Sequence, residues 1–280
     1  MWLSSYLILC ALALSPSDLN PEEAAAIDAL FEEWSAPDSP GCALAIVRGG
    51  ETVYARGYGA ADLESGDPIG PDTVFRIAST SRQFTTACIV LLERDGVLSL
   101  EDPVSEWIPE FASPRGEIRI RHLVHHTSGV RDYLWLMLLA GFSDAGYYTQ
   151  EMALDAILRQ EDTNFEAGSE YSYSNSGYFL LSIIVERASG KTLREFAHER
   201  IFEPLGMTRT HYHDDHTEVV PGRSTQGSAG ISAACCSVAH TCPRQPGPSK
   251  APSSSSRVAP STRTRSPWRH RSRSAPSVTG

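Results

Sequence analysis

At 280 residues, 41% hydrophobic and 21% charged, the chain has the length for one large domain or two small ones and the apolar content of a globular protein. Its net charge of −10 joins two unlike pieces. From Arg223 to Gly280 there are nine Lys+Arg and no Asp or Glu, +9, which leaves fifteen basic against 34 acidic residues, −19, before it. Among its six cysteines no disulfide framework and no CxxC site can be read.

The opening "MWLSSYLILCALALSPSD" carries an apolar run from Tyr6 to Leu14 with Ala11-Leu12-Ala13 as an A-x-A cleavage site. The run is too short to span a bilayer and has the length of a signal-peptide core, although no Lys or Arg precedes it. Residues 1–19 are therefore read as a leader, which implies a periplasmic or secreted protein. "LILC" resembles a lipoprotein box, but Leu9 is bulkier than that processing accepts, which argues against a lipid anchor on Cys10.

Asn20-Pro21-Glu22-Glu23 has the cap, first-turn proline and acids of a helix start. Ile27, Leu30, Phe31 and Trp34 follow at helical spacing, so this helix is expected to dock an apolar face. "GCALAIVRGGETVYARGYGAAD" reads as two strands joined at Gly49-Gly50. Ser81 to Asp95 is helical and nearly apolar all round, which predicts a fully buried helix stopped by Gly96. "GYFLLSIIVERASG" is a second apolar helix ending at Gly190, and Thr192-Leu193-Arg194-Glu195 is a capping box that opens another. Cys42 and Cys88, in apolar company, read as small core residues.

After Pro221 no periodic apolar pattern remains, and Trp268 is the one aromatic ring. Residues 223–280 are read as a disordered basic Ser/Pro/Arg-rich tail, and 20–222 as a single domain. Text rich in Arg, Ser, Pro and Ala, without acids, is what a shifted reading of G+C-rich DNA gives, so the tail is read as out of frame. Its charge could hold nucleic acid, but it lacks stacking aromatics, and a solvated segment is the better reading.

"FRIASTSRQFT" sets Ser79 three residues before Arg82, the step at which a nucleophilic serine meets a proton acceptor. A guanidinium does not give up its proton in a protein. Taken alone, Ser-x-x-Arg is a weak signal, and a helix cap is the bland account of Ser79. "RHLVHHTSGVRDY" (121–133), "FEAGSEYSYSNSGYFLLSIIVERASGKTLREF" (165–196) and "IFEPLGMTRT" (201–210) supply context. With "DTVFRIASTSRQFT" and "EDPVSEWIPEF" they resemble, in order, the serine β-lactamase-related family of class C β-lactamases, penicillin-binding D-alanyl-D-alanine peptidases and carboxylesterases.

That resemblance covers about residues 22 to 222 and implies an α+β sandwich, a helical region packed on an antiparallel sheet that lacks its C-terminal strands. It implies a serine hydrolase acting on an amide or ester through an acyl-enzyme. Ser79 would be the nucleophile, with its backbone N–H as half of an oxyanion hole. Tyr173 would shuttle the serine proton, and Asn175 would hold the substrate's amide and help position the base. The substrate would be a β-lactam, a D-Ala-D-Ala peptide or an ester, and no metal or organic cofactor is implied.

Two departures stand out. Arg82 replaces the family's lysine: it keeps the positive charge but accepts no proton, so a loss of about 10²–10⁴ in acyl transfer is expected. The family's third motif, Lys or His before Thr/Ser-Gly, has no match in a strand after residue 210. Both leave open a non-catalytic pseudoenzyme that binds peptidoglycan-like peptides or a protein partner. Elsewhere, His125 and His126 read as structural turn residues. The crowded "HYHDDH" (211–216) reads as a solvated loop ahead of a metal site. Oligomeric state leaves no mark in the sequence.

Overall fold

In the computed structural model, which describes residues 19–111, 116–142, 149–215 and 217–224 in full and the backbone of 238–240, the first element is α1 (Pro21–Leu30). The Asn20 side chain accepts from the N–H of Glu23, and the Glu23 carboxylate accepts from the N–H of Asn20, a reciprocal cap. The helix buries none of its residues: Leu30 is 73% exposed and Trp34 beyond it 41%. It docks through a polar anchor instead. Asp28 accepts from Tyr54 Oη at 2.5 Å and Tyr58 Oη at 2.8 Å and pairs with Arg56, while Phe31 stacks on Tyr58 with centroids 4.6 Å apart. Of the apolar positions, Ile27 and Phe31 are half-buried beside Asp28, while Leu30 and Trp34 face solvent. The Tyr54 and Tyr58 hydrogen bonds hold the Asp28 carboxyl below its ordinary range.

Tyr54, Arg56 and Tyr58 lie on β2 (Glu51–Tyr58), which pairs antiparallel with β1 (Cys42–Arg48) across the expected Gly49-Gly50 turn. Both turn glycines have positive φ, 62° and 87°, the geometry that closes a two-residue hairpin. The register slips between Ile46 and Val47.

The core lies in the helical half. A 3₁₀ turn (Ala78–Ser81) leads into α2 (Arg82–Arg94), followed by α3 (Val104–Trp107), α4 (Ile120–Val124), α5 (Tyr133–Leu139), α6 (Gln150–Leu158), α7 (Asn175–Ser189) and α8 (Leu193–Ala197) with a π-helical turn after it. Cys88, Ile89 and Leu92 of α2 pack with Leu180, Leu181 and Ile184 of α7, joined by Phe202, all at most 2% exposed. Burial pushes the Cys88 thiol up to about 12, so it stays a neutral core side chain. Helix α2 is amphipathic rather than buried all round, since Gln83 and Arg94 face solvent and Val90 is 46% exposed. Helix α7 ends where expected, with Gly190 in the left-handed region at φ 72°, and the Thr192 and Glu195 cap opens α8.

A second sheet has the order β3 (Phe75–Arg76), β5 (Val238–His240), β4 (His211–Tyr212), antiparallel throughout. Two sequence expectations change here. The 223–280 segment was expected to hold no strand, yet three of its residues form the central one. A strand this short is held by main-chain pairing on both sides and needs no periodic apolar pattern to announce it. The "HYHDDH" stretch is likewise not a solvated loop: it begins on β4, with Tyr212 buried and His211 and His213 half-buried. His216, the leader through residue 18 and the rest of the tail after Ser224 lie outside the described residues, all of which belong to one compact unit, Met1–Gln245. Among the described residues no helix is long and apolar enough to cross a membrane.

Candidate active site

Ser79 sits in the 3₁₀ turn at the entrance to α2, where main-chain N–H groups have no intrahelical acceptor. Ala78 before it holds φ at 45°, an uncommon conformation for a residue with a Cβ, and such strain clusters at functional sites. Ser81 Oγ donates to the Ala78 carbonyl, and Thr80 N–H donates to that of Ile77 at 3.0 Å, so the turn is tied from both ends. Ser79 and Arg82, three residues apart, fall on one face.

Ninety-four positions along the chain, Tyr173 reaches the same spot. Its hydroxyl donates to Ser79 Oγ at 2.7 Å, and the residue is 47% exposed. Tyr173 and Ser174 precede α7, and Asn175 is its first residue. The segment is held against the 126–133 loop by the N–H of Ser172 on the His126 carbonyl at 2.9 Å and by Ser176 Oγ on that of Arg131 at 2.6 Å. Gly129 lets the other side of this loop meet the 164–165 segment: at φ 72°, a Cβ there would stand 2.2 Å from the Phe165 carbonyl oxygen.

Arg82 is buried behind the two hydroxyls. Its guanidinium donates to Asn175 Oδ1 at 2.5 Å and lies 4.2 Å from the ring centre of Tyr173 and 4.9 Å from that of Tyr178. A cation in this position stabilises negative charge that develops on the neighbouring oxygens during acyl transfer. All four residues singled out in the sequence, Ser79, Arg82, Tyr173 and Asn175, thus meet in one cluster.

The structure adds two more. Asp132 caps α5 by accepting from the N–H of Leu134 at 2.9 Å with one oxygen. Its other oxygen accepts from both the backbone N–H and the Nδ2 of Asn175, each at 2.6 Å. Asp132 therefore sets which end of the Asn175 amide faces Arg82. The Asn175 carbonyl is engaged by Arg82 and one amide proton by Asp132, so its remaining amide N–H is the one left to offer a substrate.

His126 is the second addition. Its ring lies 4.7 Å from that of Tyr173, its Nδ1 is 3.2 Å from the Ser174 N–H, and its Nε2 is 3.3 Å from the Arg82 guanidinium. Burial, then the charge of Arg82, lowers its pKa and keeps the ring neutral. A neutral imidazole has one lone pair, yet both neighbours are donors, so one of the two contacts is unsatisfied. His126 is more than a turn residue, although its φ of 57° shows that it is one as well. The Asp in "GVRDY" was a visible signal of a cap; nothing local pointed it at a residue 43 positions away.

A profile of the family described as Beta-lactamase matches residues 27–267. The chain belongs to that family. Among curated relatives, a penicillin-binding protein of Bacillus subtilis is 33% identical over 186 residues, which is 66% of this chain and 40% of that protein. A D-aminopeptidase of Brucella anthropi is 37% identical over 171 residues, 61% of this chain and 32% of that protein. The chain thus spans about a third to two fifths of the length of these relatives. Among solved structures, EstCE1, described as a hydrolase with promiscuous acyltransferase activity, superposes with a TM-score of 0.62 at 27% identity, over 72% of this chain and 55% of that one. The fold and the serine-hydrolase superfamily of this beta-lactamase relative follow from these likenesses.

Proposed function

We propose that this member of the beta-lactamase family forms an acyl-enzyme on Ser79 from an amide or ester, at a rate reduced by Arg82. The observation that carries the reading is the 2.7 Å contact between the Tyr173 and Ser79 hydroxyls beside a buried cation. In the reactive state the phenolate oxygen takes the Ser79 proton as the serine oxygen bonds to the carbonyl carbon. The same proton then passes to the departing nitrogen or oxygen as its bond to that carbon breaks. Water completes the cycle by the same exchange and releases the acid. The relatives' names, a penicillin-binding protein, a D-aminopeptidase and a hydrolase with acyltransferase activity, support an amide, peptide or ester as the substrate class.

Incubation with a fluorescent penicillin and with a p-nitrophenyl ester tests this. A covalent adduct on the tryptic peptide holding Ser79, absent in Ser79→Ala, is the expected result. Saturable binding without adduct or turnover would instead select the second reading, a non-catalytic binder, which the permanently protonated Arg82 favours. The apolar leader supports export, and cell fractionation that finds the protein only in the cytoplasm would remove that part of the proposal.

A further inference from the structure

His211, on β4, and His213, just past its end, hold their rings 6.0 Å apart on either side of the buried Tyr212 in sequence. Tyr212 turns toward the catalytic helix, with its hydroxyl 2.8 Å from Thr85 Oγ1. The two imidazoles turn toward Glu218, whose Oε2 lies 3.7 Å from His213 Nδ1, too far for a hydrogen bond. His211 Nε2 and His213 Nδ1 are both shielded from solvent, and neither has a hydrogen-bond partner. Burying two such nitrogens without partners is unfavourable, unless a third body bridges them.

One ligand atom from each of His211, His213 and Glu218 lies within 4.8 Å of the other two. Zinc bonds nitrogen and oxygen at about 2.0–2.2 Å, which sets tetrahedral ligand atoms about 3.4 Å apart. Closing the present spread onto an ion therefore takes small side-chain rotations and leaves the backbone where it is. We propose that His211, His213 and Glu218 form a zinc site that clamps the 217–224 segment to β4, with water in the fourth position.

The donor set of two imidazoles and one carboxylate is one that zinc takes. The surroundings prepare it. Burial lowers the pKa of both histidines, aided by Arg194 for His211 and Arg223 for His213, which leaves their lone pairs free at neutral pH. Hydrogen bonds from Arg194 keep Glu218 ionised. That guanidinium holds the Glu218 oxygens at 2.7 and 2.9 Å and Asp214 at 2.9 Å, an outer layer that orients the carboxylate, with its own charge offset by the acid pair. Asp214 and Asp215, the residues that make "HYHDDH" look metal-binding in the sequence, are exposed, and Glu218 completes the group instead.

The test uses the full chain, stripped with a chelator and titrated with Co²⁺ and then Zn²⁺. The expected result is a tetrahedral Co²⁺ absorption that saturates at one equivalent, disappears on Zn²⁺ addition, and accompanies a Zn²⁺-dependent rise in Tm. Glu218→Gln, which keeps shape and most hydrogen bonds, is expected to weaken binding by about tenfold or more. His211→Asn with His213→Asn is expected to abolish it. Because Cys235, Cys236 and Cys242 could also take the ion, the spectrum is repeated after all three are changed to Ser and should not alter. Absence of a saturating signal, binding that follows the cysteines, or affinity indifferent to Glu218→Gln overturns the proposal and leaves a water bridging the two nitrogens.

Discussion

Helix α7 buries nine of its fifteen residues, whereas strand β1 buries none of its seven. The contrast extends to the neighbours of each. Helices α2, α4, α5 and α7 share one apolar cluster. Strand β1 pairs, among the described residues, only with β2, and α1 joins that hairpin through the Asp28 anchor and a single ring stack of Phe31 on Tyr58. Fully burying an aliphatic side chain is worth about 1.5–3 kcal/mol, so stability is concentrated in the helical half. Ser79, Arg82, Asp132, Tyr173 and Asn175 all sit on or beside those helices. The candidate site of this member of the beta-lactamase family is thus mounted on its best-packed part.

The largest test of that division is Arg82→Lys. If the helical half alone holds the machinery, an amine able to lose its proton beside Ser79 should raise the acylation rate by about 10²–10⁴, read as adduct formation with a fluorescent penicillin. No gain would mean that the strand side limits the reaction, and the comparison would break. Next come paired truncations followed by denaturant unfolding. Ile184→Ala, from a fully buried site, should cost about 2–5 kcal/mol. Ile46→Ala, on half-exposed β1, should cost under about 1 kcal/mol. Equal losses would show the hairpin to be as tightly packed as the bundle.

Asp132→Ala should cost about 1–3 kcal/mol, since it removes the α5 cap and leaves the Asn175 donors without their acceptor, and it should slow labelling of Ser79. Asp132→Asn should recover more of the stability than of the labelling rate. The smallest effect is one of pH. His122 and His126 are held below 6.5, the value of a free imidazole, chiefly by burial. The unfolded chain therefore binds more protons below pH 6.5, and the stability they contribute is complete above that value and declines as pH falls through it. Denaturation midpoints should drop between pH 7 and 5, and His126→Asn should flatten that drop. A flat wild-type profile would show that both rings are solvated.

Much of the bundle was legible because its signals are local. The Asn20 and Thr192 caps, the Gly49-Gly50 turn and the Gly190 stop each announce themselves within four residues. The Ser79, Arg82, Tyr173 and Asn175 cluster was legible through its resemblance to known segments, which carries long-range information that periodicity lacks. What escaped was contact between distant, polar partners. Ile27, Leu30 and Phe31 suggested an apolar dock for α1, but Phe31 shares it with Asp28, whose tyrosine partners lie 26 and 30 positions away. His126 read as a turn residue and Asp132 drew no reading, because their partners Arg82 and Asn175 are 44 and 43 positions away. The pairing of β5 with β3 and β4 left no trace, since main-chain hydrogen bonds are indifferent to side-chain identity.

A lysine behind the nucleophile would let the pocket exist in two charge states, switched by acidity. The guanidinium clasped between two phenol faces and an amide oxygen allows one. The charge behind Ser79 is therefore a fixed positive pole, and an ionised carboxylate brought to that serine would always meet it.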